Sequence, residues 1–473
     1  MRIVLGKSRG EKWCNMFLRE RKKSNFYKTN ILFILLLGGL ILAGSYDAFF
    51  LHFAFIILAL RIVFSDISNS ICWSVFLISN LKMFNGLNAS FLVNILMVLP
   101  LAVLFIRKFH SKNIGLAISL ASVLFFVEML HILWNNTLNQ FPSLFSWTLG
   151  FCILFEVLIE DDITLNKEEL FDALSLGILF SAIIPLSLNV SYAKDIVNDV
   201  INGERFAGLS GEPNYFSLYI VVCISCFFNL GSFSLRRCLS TVLIVLIGFL
   251  TASKMEFILI LFLGINMLFL GIFSIKKEQR KYIKILIGLT LVCCIVFRAQ
   301  IPVFISNFVR RLGGQNAGLN RLTTGRANLW IYYLKVFFSD PEVLLFGKGF
   351  GYNRFLDEPT LKVAHNTYID FLVSWGIIGT ILFVCILCYA VKRFKKNNAI
   401  KVSYASTLPL LVFFATCFSL SCLSADMFSF IILVCVMQFS ESKKRELLYG
   451  KSDASIGYCT NLQCGKNNSK MCC

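Results

Sequence analysis

Long apolar stretches, divided by short polar or basic segments, run along most of the chain. They fall at about 31–44, 48–64, 90–106, 114–134, 144–159, 170–190, 213–230, 239–253, 255–273, 283–297, 366–391, 403–418 and 422–439. An upright helix needs roughly 20 residues to cross a bilayer, so the shorter runs must borrow interfacial flanks. One further run, 71–84, is interrupted by Asn80 and Lys82, and reads as either a span or an interfacial segment. The pattern predicts an all-α, polytopic transmembrane helical bundle of about 12–14 spans.

Composition narrows the class. Of 473 residues, 57% are hydrophobic and only 15% charged, more apolar surface than a soluble protein of this length could bury. The formal charge of +18 does not imply nucleic acid, because the basic residues cluster between the apolar runs and no nucleic-acid module is visible. Basic clusters mark cytoplasmic loops. The N-terminal arm, Arg107–Lys112, Arg236–Arg237, Lys276–Lys284, Lys392–Lys401 and Lys443–Arg445 all fall on one side once 71–84 counts as a span. Both termini are then cytoplasmic, and the first apolar run, with no small-residue cleavage site after it, reads as a retained span. The organisation expected is a basic arm (1–30), a transmembrane region (31–297) with an outer loop at 191–212, a large periplasmic loop (298–365), C-terminal spans (366–439) and a cytoplasmic polar tail (440–473).

Several tempting motifs carry little. Cys223/Cys226 and Cys385/Cys388 have CxxC spacing but lie within apolar runs, where thiols lack the supporting partners of a metal site. The acidic loop EDDITLNKEE (160–169) reads as a solvated helix-capping segment, and the cysteines of the C-terminal tail as part of a disordered stretch. No D-x-D occurs, and no internal repeat is evident.

The segment 298–365 is different. It holds nine cations, among them Arg321, Arg326 and Lys362, against four carboxylates. Arginine binds phosphate oxygens in a bidentate fork, so this loop suits an anionic substrate; lipid headgroups are the plainer ligand. RANLWIYYLKVFF (326–338) has the pattern of an interfacial helix, and GKGFGYN (347–353) is a glycine-rich turn whose amides could cradle an anion. His365 closes the loop. Eleven residues of α-helix turn about 1,100°, roughly 20° past three full turns, which sets Gly376 beneath His365, with Gly379 one turn further. A histidine above two small residues fits a catalytic head over a lipid-tail groove, and fits equally a helix-packing pair.

His365 and Asn366, then nine residues, then Gly376 and Gly379 resemble the signature of bacterial O-antigen ligases and the related O-antigen and capsule polymerases. RFAGL (205–209) is similar to the family's R-x3-L pattern and continues as GEPN (211–214) into the next span. TGRANLW (324–330) is similar to its Gly-Arg pair followed by an aromatic residue. These elements lie within residues 203–391; the N-terminal half is similar only as a series of spans. One departure is Ser253-Lys254, where the family often has Ser-Arg; lysine keeps the charge but loses the fork.

The resemblance implies a GT-C-like, metal-independent membrane glycosyltransferase with no cofactor. Its donor is a glycan on undecaprenyl diphosphate, and its partners are an acceptor glycan and the bilayer, with a chain-length regulator and a flippase as further candidates. His365 is then the general base, with Arg205 and Arg326 stabilising the leaving diphosphate. Lys254, Arg321, Asn366, Gly376 and Gly379 form the expected binding set. The site faces the periplasm from the inner membrane, and the overall reading is a repeat-unit polymerase. A ligase transferring glycan to lipid A–core is the alternative within the class, and a polysaccharide flippase is the alternative outside it.

Overall fold

The computed structural model describes residues 26–87, 91–108, 113–160, 163, 165–188, 205–231, 234–251, 253–273, 284, 288, 295, 298, 323, 325–354, 362–397 and 403–440. Within these residues the elements are α1 (Phe26–Ala43), α2 (Ala48–Phe64), α3 (Ile67–Leu77), α4 (Phe91–Lys108), α5 (Ile114–Trp134), α6 (Phe141–Ile159), α7 (Lys167–Leu188), α8 (Pro213–Phe227), α9 (Leu235–Thr251), α10 (Lys254–Phe273), α11 (Arg326–Ser339), α12 (Pro341–Leu345), α13 (Thr367–Asn397), α14 (Tyr404–Cys417) and α15 (Phe428–Met437), with short 3-10 turns between some of them. There is no strand among the described residues. Phe26–Ala43, Ile114–Trp134, Leu138–Ile159, Lys167–Ser187 and Thr367–Lys396 are each long and apolar enough to cross a membrane, and shorter apolar helices pack among them. The chain is an all-α polytopic membrane protein. The run at 283–297 falls almost wholly outside the described residues.

Lipid-type solvation explains the surface. Leu32, Phe64 and Ile106 are more than two-thirds exposed, at 80%, 78% and 75%. The interior is aromatic: Trp147 meets Trp375 edge-on at 5.8 Å, and Phe350 stacks on Trp375 at 5.9 Å. The polar contacts divide between the two ends of the bundle. At one end Asp172 accepts from Arg236 and Arg237 at 2.8 and 3.0 Å, and Arg61 reaches Asn30. The loop motifs gather at the other end.

The structure departs from the apolar pattern in three places. The run 71–84 is helical only in its first part, although it carries the chain from the Arg61 end of the bundle to Lys82 at the other. Its helix, α3, ends at Leu77, and 11 residues rise only about 16 Å. Asn69 to Leu77 are all buried, and Asn80 turns the chain by donating to Phe76 O (2.8 Å) and Gly177 O (3.1 Å). The run 422–439 becomes helical only at Phe428, leaving 418–427 irregular. Such backbone survives at membrane depth only where protein groups satisfy it.

The third departure corrects the helix geometry. His365 lies outside α13, and Gly376 interrupts that helix with φ 60° and ψ −168°. No continuous stripe therefore joins His365 to Gly376. The break frees two helix carbonyls, and the glycine-rich turn fills them: Lys348 N donates to Val373 O (2.9 Å) and Gly349 N to Ser374 O (2.7 Å). Phe350 N donates to Glu128 Oε1 at 2.5 Å. These amides hold the fold, so they do not form the anion cradle that the sequence allowed. A side chain at Gly376 would strike the Leu345 backbone, and one at Gly379 would strike Trp375. Both glycines meet protein rather than a lipid groove.

Candidate functional site

His365 occupies a left-handed turn, φ 50°, an uncommon conformation for any residue but glycine. The surrounding chain fixes it. Asn366 Oδ1 accepts from Tyr368 N (3.0 Å) and Ile369 N (3.2 Å), capping α13. Trp330 Nε1 donates to Ala364 O (2.9 Å), and the Tyr333 hydroxyl to Lys362 O (2.7 Å). The Tyr352 hydroxyl accepts from Ala364 N (2.9 Å) and donates to Asp370 (2.6 Å). Burial, then the Asp370 carboxylate, push this phenol far above its usual range, so it keeps the proton it donates. Helix α11 thus has two faces. Ala327, Tyr333 and Phe337 are buried toward the histidine turn, while Ile331 and Phe338 are 66% and 72% exposed.

The second motif is a turn built on glycine. Gly208 and Gly211 have φ 55° and 79°, and a Cβ at Gly208 would meet Ser181 at 2.7 Å. Leu209 N donates to Ser181 Oγ (2.8 Å), and Lys82 N donates to Leu209 O (2.8 Å). The exposed Lys82 side chain lies directly over Gly211, where any side chain would displace it. Glu212 then caps α8 through Tyr215 N (2.9 Å), with Pro213 at the first helical position. Arg205 donates through Nη2 to Asn214 Oδ1 (2.6 Å) and through Nε to Thr251 O (3.1 Å).

An irregular segment joins the two turns. Ser419 O accepts from Arg326 Nη1 (2.6 Å), Leu420 O from the Thr367 hydroxyl (2.6 Å), and Ser421 O from the Tyr215 hydroxyl (2.5 Å). Leu423 O accepts from Trp147 Nε1 at 2.7 Å. Neighbouring Cα atoms are about 3.8 Å apart, so three successive carbonyls draw α8, α11 and the histidine turn to one place. His365, Arg326 and Arg205 therefore share one end of the bundle. Lys254 opens α10 three residues beyond Thr251, the residue whose carbonyl holds Arg205. Arg321 lies outside the described residues.

Charge follows the geometry. Burial, then the Arg326 guanidinium, hold the His365 imidazole below the ordinary histidine range, and Lys362 acts the same way. Glu212 pulls in the opposite direction. A depressed value keeps the ring neutral, and so able to accept a proton, at mildly acidic pH. Two further charged residues here carry no functional signal in the sequence: Lys82 is an interruption in an apolar run, and Glu212 one residue of GEPN. There is no cluster of three or more potential metal ligands among the described residues.

Residues 239–384 match the family model for O-antigen ligase. The segment is thus similar to an O-antigen ligase domain over about a third of the chain. It contains Lys254, Arg326 and His365 and supports the O-antigen polymerase and ligase superfamily, as the short motifs had implied. No curated protein matches the chain. An O-antigen ligase domain implies glycosyl transfer with lipid-linked glycans at a membrane. Arg205 and Glu212 precede the matched segment and reach it through Thr251 and the 419–421 carbonyls.

Proposed function

We propose that this chain polymerises oligosaccharide repeat units carried on undecaprenyl diphosphate, at the outer face of the inner membrane. One observation supports the reading: the carbonyls of 419–421 hold Arg326, Thr367 of the His365 turn, and Tyr215 of the helix whose Asn214 accepts from Arg205. The imidazole takes the proton of an acceptor hydroxyl as that oxygen attacks the anomeric carbon. The bond from this carbon to the diphosphate oxygen breaks, and its electron pair leaves on the diphosphate. Arg205 and Arg326 offset the charge that accumulates there, in a partly dehydrated site where such contacts are strongest. Attack in one step inverts the anomeric centre.

The GEPN continuation after Arg205 favours a polymerase. The matched family model favours the second reading, a ligase that delivers the finished glycan to lipid A–core. Deleting the gene and running a glycan ladder gel separates them. Single-repeat caps on the surface are the polymerase result, whereas long chains stranded on the carrier lipid establish the ligase. A purified protein that flips a lipid-linked glycan without transferring it would overturn both.

A further inference from the structure

Asp, Ser or Thr would cap α8 as well as Glu212 does. The glutamate does more with its two oxygens. Oε2 takes the Tyr215 amide at 2.9 Å, and Oε1 takes Asn214 Nδ2 at 2.7 Å. Asn214 passes the link on, because its Oδ1 accepts from Arg205 at 2.6 Å. The guanidinium is thus oriented from one side by Asn214 and from the other by Thr251 O. The helix that Glu212 caps is also tied to the histidine turn. Tyr215 binds Ser421 O, Thr367 binds Leu420 O and Arg326 binds Ser419 O. The carboxylate therefore opens a helix that adjacent carbonyls hold beside the histidine turn and Arg326, and its charge opposes theirs on the imidazole.

We propose that Glu212 is a positioning residue of the site: it aims Arg205 through Asn214 and steadies the imidazolium formed when His365 takes the acceptor's proton. This role rests on the glycosyl-transfer reading, and it extends the site beyond the matched domain. The charged groups that face His365 are Arg326 from α11, Lys362 from its own turn, and Glu212 from the start of α8. Two of the three are cations that oppose proton uptake. Glu212 supplies the compensating negative charge, much as a buried carboxylate does in a catalytic triad, but through space rather than through a hydrogen bond.

The test is Glu212→Gln, which keeps an oxygen for the Tyr215 amide, removes the acceptor for Asn214 Nδ2 and deletes the charge. Transfer from a lipid-linked donor is expected to fall about 10-fold or more. The acid limb of kcat/KM is expected to move to lower pH, because a negative charge that favoured the imidazolium is gone. Glu212→Asp, which restores the charge and still caps the helix, should bring the limb back. A loss of rate with an unmoved limb would show that Glu212 does not act on His365 and overturn the proposal, as would undiminished transfer. The chain has four histidines, so nitrogen-15 NMR can follow the His365 titration directly in lipid nanodiscs, with His365→Asn giving the assignment. In Glu212→Gln that titration should shift to lower pH; an unchanged titration overturns the proposal. If the wild-type protein transfers nothing, the functional reading fails, while the NMR titration still decides whether Glu212 acts on His365.

Discussion

At His365, backbone and side chain make separate demands. The left-handed φ of 50° suits asparagine among the side-chain-bearing residues, whereas the proposed chemistry requires an imidazole. His365→Asn should therefore keep the turn and lose the base. The expected result is a drop of about 10²–10⁴-fold in transfer with an unchanged melting temperature. Retained activity in that variant removes His365 from the mechanism. Arg326 can be probed through its field. Its guanidinium helps to hold the imidazole below the ordinary histidine range, so Arg326→Gln should move the acid limb of the residual activity to higher pH. An unmoved limb would leave Arg326 with its Ser419 contact alone. Arg205→Lys should lose most of the transfer even though the charge remains, because an ammonium cannot bind Asn214 Oδ1 and Thr251 O in one plane. Undiminished transfer would show that charge alone suffices there. The candidate residues were legible in the sequence because their signatures are short and local. Glu212 was not, since its proposed partnership with His365 depends on carbonyls at 419–421, about two hundred residues further along.

At the scale of elements, α13 shows why periodicity misled. The 100° rule holds only while the helix continues, and Gly376 ends it with a conformation open almost exclusively to glycine. A lone glycine in an apolar run gives no sign of such a break, because the same residue serves equally well in close helix packing. The cause is again remote: Leu345 and the Lys348–Gly349 amides occupy the space and the bonds that a regular turn would need. Gly376→Ala should strain the break and push against the Leu345 backbone, lowering the melting temperature in detergent and the activity together. An unaffected melting temperature would mean that the helix can close over this position. Glu128, an uncomfortable charge in an apolar helix when read from sequence, belongs to the same junction. It accepts from Phe350 N at 2.5 Å and from Trp375 Nε1 at 2.8 Å.

For the whole molecule, the apolar pattern foretold most helices within a few residues and failed where a helix is short or broken. Hydropathy measures the preference of a segment for lipid. It does not register a segment such as α3, whose surroundings are other helices rather than lipid. The grouping of polar contacts gives the orientation a direct check. The turn at 347–353 and the residues following α8 belong to opposite ends of the bundle. Alkaline phosphatase folds to an active enzyme only outside the cytoplasm. Fused after Asn353 it should be active, and fused after Gly231 it should be inactive; the reverse pattern would place the site on the cytoplasmic side.

The break in α13 also bears on how the protein is made. Val373 and Ser374 lie roughly 10 Å along the helix from its start, where a bare carbonyl in hydrocarbon costs several kcal/mol. Their partners, Lys348 and Gly349, come from chain that is synthesised earlier and lies before the span. During biogenesis the segment can enter the bilayer as an unbroken helix, but it can adopt its final shape only after the preceding loop has been delivered to the same side. Completion of the proposed site is thereby tied to delivery of the loop that carries Arg326 to the matching end of the bundle, and a chain stalled before that step holds a membrane anchor without an assembled site.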